Sequence, residues 1–225
     1  MGQAIGQTLP FAIGIALSPI PIIGVVLMLS TPRAGPNGIA FLLGWVLGLA
    51  AVATAVLLIS NGAGASEGGG PADWVSGLKL ALGLGLLAVA TKTWGGRPRP
   101  GEEAKLPGWM ESVDHFGPQR ALGLGIALSA LNPKNLILVL GAAAAIAEVG
   151  LDAGQDAVAL AVFVALATLG PGIPVAIHLT MGERSERLLG DLRAWMARHN
   201  AAIMAVICLV IAAKLVGDGI GGLTG

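Results

Sequence analysis

Apolar residues run along the chain in six long blocks, near residues 8–30, 36–60, 73–94, 121–147, 154–181 and 200–222, with most charged residues gathered between them. Each block is close to the roughly 20 residues that a helix needs to cross about 30 Å of hydrocarbon. None alternates residue by residue, as the strands of a lipid-facing barrel do. In lipid every backbone polar group has to be satisfied within the protein, so the blocks predict helices. The expected fold is an all-α polytopic membrane protein with six transmembrane helices.

Composition strengthens that reading. Hydrophobic residues make up 55% of the 225 residues and charged residues 12%, about half the usual share in a soluble domain, and the mean hydropathy is +0.80. The formal net charge is zero, which gives no reason to expect a nucleic-acid partner. One cysteine, Cys208, excludes a disulfide framework within the chain. The first block is too long for a signal h-region and lacks a basic flank, so it reads as a retained helix.

The connections carry the orientation. Arg33, Arg97, Arg99, Lys105, Arg120 and the four Arg of 183–199 all fall between blocks one and two, three and four, or five and six. The other two connections hold Glu67, Asp73, Glu148, Asp152 and Asp156, and no Lys or Arg. The positive-inside rule then puts the odd connections in the cytoplasm and both termini outside, in a multi-pass protein of the cytoplasmic (inner) membrane. Two connections predict surface helices. In 107–117, Trp109, Met110, Val113 and Phe116 share one helical face. In 183–199, Leu188, Leu189, Leu192, Trp195 and Met196 recur at a 3.6 period beside Arg184, Arg187, Arg193 and Arg198. The connection "NGAGASEGGGPAD" is Gly-rich and reads as a flexible turn.

One pentapeptide, Gly-Ile-Ala-Leu-Ser, occurs at 14–18 and again at 125–129, an offset of 111 residues. Three blocks separate the copies, counting the first. An odd number sends the second half into the membrane with opposite polarity, which is an inverted-topology repeat. The predicted organisation is a first three-helix repeat at 1–94, a cytoplasmic linker with a short surface helix at 95–120, and a second three-helix repeat at 121–225 that includes the amphipathic stretch 183–199. Each pentapeptide leads into a break: Pro19 and Pro21 in the first block, Pro133 in the fourth. Proline removes a helix hydrogen bond, and paired broken helices at matching places in two halves point to a central binding site. Kinked helices that merely pack well would leave the same prolines.

Chemistry concentrates at Asn132-Pro133-Lys134-Asn135. Lys134 lies roughly 20 Å along the fourth helix from Arg120, too deep to reach water easily. A lysine there costs about 2.5–3.5 kcal/mol even on lenient insertion scales, so it is a functional candidate by default. No Asp or Glu sits at the centre of any block, which leaves backbone carbonyls, Asn132, Asn135, Ser18, Ser129, water or an anionic substrate group as partners. Ser18, Pro19, Pro21, Ser129, Asn132, Pro133, Lys134 and Asn135 are the candidate substrate-binding set. Pro171, Gly172 and Pro174 predict a break or hinge in the fifth block, and His178 beyond them is a further candidate with an interfacial alternative. Lys79, a turn inside the outer face, is expected to snorkel to the surface, and Lys92 and Lys214 sit at block ends. No nucleophile–base pair, metal-ligand cluster, P-loop or cofactor motif is present, so neither an enzyme nor a bound metal or cofactor is expected.

The stretches "ALSPIPIIGVVLMLSTPRAGPNGIAFLLGWVLGL", "LPGWM" and "LNPKNLIL" resemble the glycopeptidolipid-addressing protein (GAP) family, which includes the sulfolipid-addressing proteins of actinobacteria and lies in the lysine-exporter (LysE) superfamily. The resemblance runs over nearly the whole chain. It implies small six-helix exporters built of three-helix repeats, assembly as a homodimer, and a part in moving cell-envelope glycolipids or their precursors outward. The expected function is export of a small or lipid-linked envelope metabolite by alternating access about the two broken helices. Export of amino acids or similar zwitterions, and a non-transporting role beside lipid-export machinery, are the alternatives. The expected partners are the lipid bilayer and the substrate.

Overall fold

The computed structural model describes residues 1–64, 66–67, 70–97 and 108–224. The fold is built of helices: α1 (Gly2–Ala16), α2 (Pro19–Leu29), α3 (Ala34–Gly62), α4 (Asp73–Gly95), α5 (Pro118–Ile126), α6 (Pro133–Ala147), α7 (Ala153–Met181) and α8 (Glu186–Thr224). Two two-residue strands, β1 (Ser66–Glu67) and β2 (Gly70–Pro71), pair as a small hairpin in the Gly-rich turn. Among the described residues three stretches are long and apolar enough to cross a membrane: α3, α4, and the 72-residue run from Ala153 to Thr224. Counting α1–α2, bent by 51°, and α5–α6, bent by 63°, as one span each raises the number to five.

The 72-residue run does not lie straight. A Cβ on Gly170 of α7 would overlap the carbonyl oxygen of Ala16, and one on Gly14 would overlap the Ile211 side chain of α8. Residues 170 and 211 would stand about 60 Å apart on a straight helix, yet both pack on the same turn of α1. The chain therefore reverses between them, and Gly182 at the end of α7 has the positive φ (+56°) that such a turn uses.

Packing fixes the relative direction of three helix pairs. The facing pairs Ser18–Lys134, Gly14–Leu138, Phe11–Gly141 and Gln7–Ala145 have residue numbers that add to 152, so α1 and α6 run antiparallel. Gly44 and Gly48 of α3 lie on the backbone of Leu122 and Ile126, a parallel pair with α5. Gly83 meets Val216, and Gly219 meets Leu80, so α4 and α8 are antiparallel. Glycine at these crossings lets backbones approach where apolar burial supplies little drive, since lipid is as apolar as the core. Trp45, Phe41, Phe11 and Phe163, all buried, fill the centre.

Four expectations are corrected. The first block begins at Gly2 rather than near residue 8, while the expected break at Pro19 is present between α1 and α2. The expected break at Pro171, Gly172 and Pro174 is absent: α7 stays helical through both prolines, which are buried against the helices around them. The prolines leave the Ala167 and Gly170 carbonyls without their helical N–H, and packing against neighbouring helices, as of Gly170 on Ala16, holds α7 in register there. The amphipathic stretch 183–199 is not a separate surface helix but mostly the first turns of α8, which continues unbroken to Thr224. Leu189 and Met196 turn into the core while Leu188 and Trp195 stay exposed. The segment around "WMESVDHF" is a 3-10 helix, Gly108–His115, and buries Met110 and Val113 instead of lying flat on the membrane. The side chain of Trp109 and residues 98–107, which include Leu106 and Pro107 of the motif "LPGWM", lie outside what is described.

Candidate functional site

Both broken helices are built the same way. Proline disfavours helical geometry in the residue before it. Ser18, before Pro19, has φ −68° and ψ 113°; Asn132, before Pro133, has φ −69° and ψ 119°. Each is the N-cap of the following half-helix with proline at its first position, where the missing N–H is no loss. Asn132 also caps through its side chain, which accepts from the Lys134 N–H at 3.1 Å. The equivalent of Ser18 is thus Asn132 and not Ser129. Three more residues separate Ser129 from its proline than separate Ser18, and they belong to a five-residue π-helical turn, Ala127–Leu131, that ends at Asn132. Ser129 lies one turn before the break, donates to the Ile126 carbonyl (3.1 Å) and sits against Gly48 of α3.

At the first break α1 loses its regular ending. The Leu17 N–H bonds to the Ile13 carbonyl (2.9 Å) and the Ser18 N–H to the Ile15 carbonyl (3.0 Å), so the Gly14 carbonyl is passed over. Lys134 fills that vacancy from the other half of the chain: its Nζ donates to the Gly14 oxygen at 2.8 Å and to Ser18 Oγ. Ser18 Oγ is 3.2 Å from Asn135 Oδ1, and Asn135 Nδ2 donates to the Leu128 carbonyl at 2.9 Å. A line of hydrogen bonds therefore runs from Lys134 through Ser18 and Asn135 to the π-helical turn. Ser18, Lys134 and Asn135 are buried. The ammonium faces the carbonyl end of α1, the favourable end of a helix for a cation. Of the eight residues read as a binding set, Ser18, Asn132, Lys134 and Asn135 are joined in this network. Pro19, Pro21 and Pro133 shape its backbone, and Ser129 stands apart.

Pro174 lies beside the first break, where Ile13, Ala16, Leu17, Ile22, Ile173 and Pro174 border an apolar groove of about 370 Å³. His178 lies at the far end of α7, with Nδ1 3.4 Å from Ser185 Oγ, whose hydroxyl donates to the Gly182 carbonyl at 2.6 Å. It belongs to the turn between α7 and α8.

Sequence reading missed a second buried charged group. Lys79 does not snorkel: it is 4% exposed and paired with Glu148, at the end of α6. With the Gln7 amide turned to suit its neighbours, its nitrogen donates to Glu148 Oε1 at 2.6 Å and to the Ala145 carbonyl at 3.1 Å. Nearby in the fold, Asn61 at the end of α3 donates to Asp156 at the start of α7 (2.8 Å). A usable signal was present, since Lys79, near the start of its apolar block, and Glu148, just past the end of its own, were both expected on the outer side. Among the described residues no three His, Cys, Asp or Glu side chains gather as a metal site requires.

A family model described as Sap, sulfolipid-1-addressing protein, matches residues 8–221. No curated protein and no solved structure matches the chain.

Proposed function

Because the chain belongs to the sulfolipid-1-addressing protein family, we propose that it is a cytoplasmic-membrane exporter of an anionic, lipid-linked envelope metabolite, working by alternating access about the α1–α2 and α5–α6 breaks. The observation that carries the reading is the buried Lys134–Ser18–Asn135 network, in which each half of the chain supplies one broken helix. Broken half-helices meeting at mid-membrane are the usual ion or substrate site of secondary transporters. The first pass starts at the end of the bundle where Gln7 and Glu148 lie, and the α5–α6 pass finishes there, so the antiparallel α1–α6 pair supports an inverted repeat of three passes each. With the α7–α8 reversal this makes six passes. The arginine-rich connections put the end opposite Gln7 in the cytoplasm and both termini outside.

The apolar groove beside Ala16 and Leu17 supports a lipid-linked substrate, with an acyl chain outside the bundle and the headgroup at the break. A smaller zwitterion is favoured instead by the tight closure of the centre, where Lys134 is 2% exposed. The test is reconstitution of the purified chain in vesicles carrying a fluorescent sulfated glycolipid in the inner leaflet. The lipid should appear in the outer leaflet faster than in protein-free vesicles. No acceleration would favour an accessory role beside a larger export machine.

A further inference from the structure

The two ends of the bundle are not alike. At the end where the chain starts, α1 and α6 are closed along their length, from Gly14 on Leu138, through the Phe11 ring on Gly141, to Gln7 on Ala145. Above Ala145, Glu148 pairs with Lys79 of α4 and accepts from Gln7, so three helices from both halves of the chain are tied at one point. In an inverted repeat the counterpart of α1 against α6 is α5 against α2. Those two helices make no comparable packing, although α1 and α6 pack extensively. Between the end of α2 and the start of α5 lies instead a polar cavity of about 290 Å³, lined by Thr31, Pro32, Arg33, His115 and Phe116. By residue number, Thr31 stands to α2 as Ala145 stands to α6. The place that is zipped by α1 on α6 at one end holds at the other a polar cavity beside the 3-10 helix Gly108–His115, which packs on α2 in place of α5.

We propose that Lys79, Glu148 and Gln7 form the gate of the passage at the end of the bundle where the chain begins, closed in this structure, and that opening there separates Lys79 from Glu148. This rests on the reading of the chain as an alternating-access exporter and adds its regulation at a site distinct from the Lys134 centre. The physics suits a latch. A buried pair adds little net stability to the closed state, so it can part without great cost, whereas removing one partner leaves the other unpaired in a poor solvent and disfavours closure. Gln7 adds a neutral hydrogen bond that belongs to the same contact and moves with α1.

Two reporter cysteines test this in the full-length chain with Cys208 replaced by Ala. The first is Ala145→Cys, buried one turn below Glu148. The second, in a separate protein, is Thr31→Cys in the opposite cavity. Each is purified in nanodiscs, where both faces meet solvent, and labelled with a charged, membrane-impermeant maleimide. Lys79→Met and Glu148→Gln should each speed labelling at 145 by about tenfold (~1.4 kcal/mol) and slow it at 31, because opening one end closes the other. Exchanging the charges, Lys79→Glu with Glu148→Lys, should return both rates toward the starting values. Gln7→Leu leaves the charges in place and should speed labelling at 145 by about threefold, which keeps the test decisive if a charge variant fails to fold. Unchanged rates in the folded variants overturn the proposal. So does a rise at both positions together, the mark of a structural ion pair whose loss loosens the fold. These rates need no substrate, so reciprocal labelling without lipid movement would sink the exporter reading alone, and lipid movement without reciprocal labelling would sink the gate alone.

Discussion

Replacing Lys134 with Met separates a structural from a functional ammonium. The substitution keeps most of the stem and removes two hydrogen bonds, to the Gly14 carbonyl and Ser18 Oγ. Hydrogen bonds to a charged group are worth about 1.5–3 kcal/mol each, so the loss is about 3–6 kcal/mol gross. Against it stands the desolvation of a buried cation, several kcal/mol even after relaxation. The partners left behind are neutral, and the Gly14 carbonyl keeps a contact with Ser18 Oγ at 3.4 Å. The two sums nearly cancel, so Lys134→Met should unfold at about the same temperature as the parent or slightly higher. Export should behave differently. If the ammonium leaves Gly14 to meet an anionic headgroup, its loss removes one charge-assisted bond from the transport step, a fall of about 10- to 150-fold. Lys134→Arg should recover part of it, because the planar guanidinium needs a differently shaped site. Lipid movement in vesicles and thermal stability are measured on the same purified proteins. A stable Lys134→Met that exports normally would refute the argument and leave Lys134 as a cap on α1.

Two further outcomes follow from the packing. Gly170→Ala should cost about 1–3 kcal/mol in thermal unfolding, because the new methyl overlaps the Ala16 carbonyl, whereas Gly190→Ala, with nothing within 4 Å, should gain up to about 1 kcal/mol. Asn132→Ala removes the side-chain cap on α6 and should lower stability by about 1 kcal/mol, while Asn132→Ser should restore most of it.

The helix ends were legible because lipid allows few alternatives. The expected 73–94 and 154–181 became Asp73–Gly95 and Ala153–Met181, set by long apolar runs that stop at polar or turn residues. Lys134 was legible for the same reason: a deep charge is conspicuous in an apolar block. What failed needed information that sequence spacing does not carry. A change from polar to apolar near residue 200 looked like a boundary, yet no proline lies in 186–224, so nothing ends α8 there. The prolines of α7 looked like a break because packing on both sides of a helix leaves no local trace. The pentapeptide repeat located both breaks but misplaced their register, because a π-helical turn absorbs residues without altering the apolar pattern. The Lys79–Glu148 pair joins residues 69 apart, and each alone resembled an ordinary helix-end charge.

The corrected register has a consequence for the chemistry of the centre. With Ser18 matched to Asn132, the residue two places after each cap is Ile20 in one half and Lys134 in the other. Two ammonium groups facing each other in so poor a solvent would repel strongly, and only one of the two breaks carries a lysine. The half-helices α2 and α6 both begin at this centre, and helix N-termini bear partial positive charge. Two carbonyl ends face them, that of α1 at Gly14 and that of the π-helical turn at Leu128, so the helix ends balance and the ammonium is the one added charge. A neutral or cationic substrate gains nothing from that balance. An anionic headgroup that took up the ammonium would need to displace only the Gly14 and Ser18 contacts. The proposed acidic lipid would therefore have to bind through the Lys134 ammonium itself, which is why Lys134→Met is the decisive substitution.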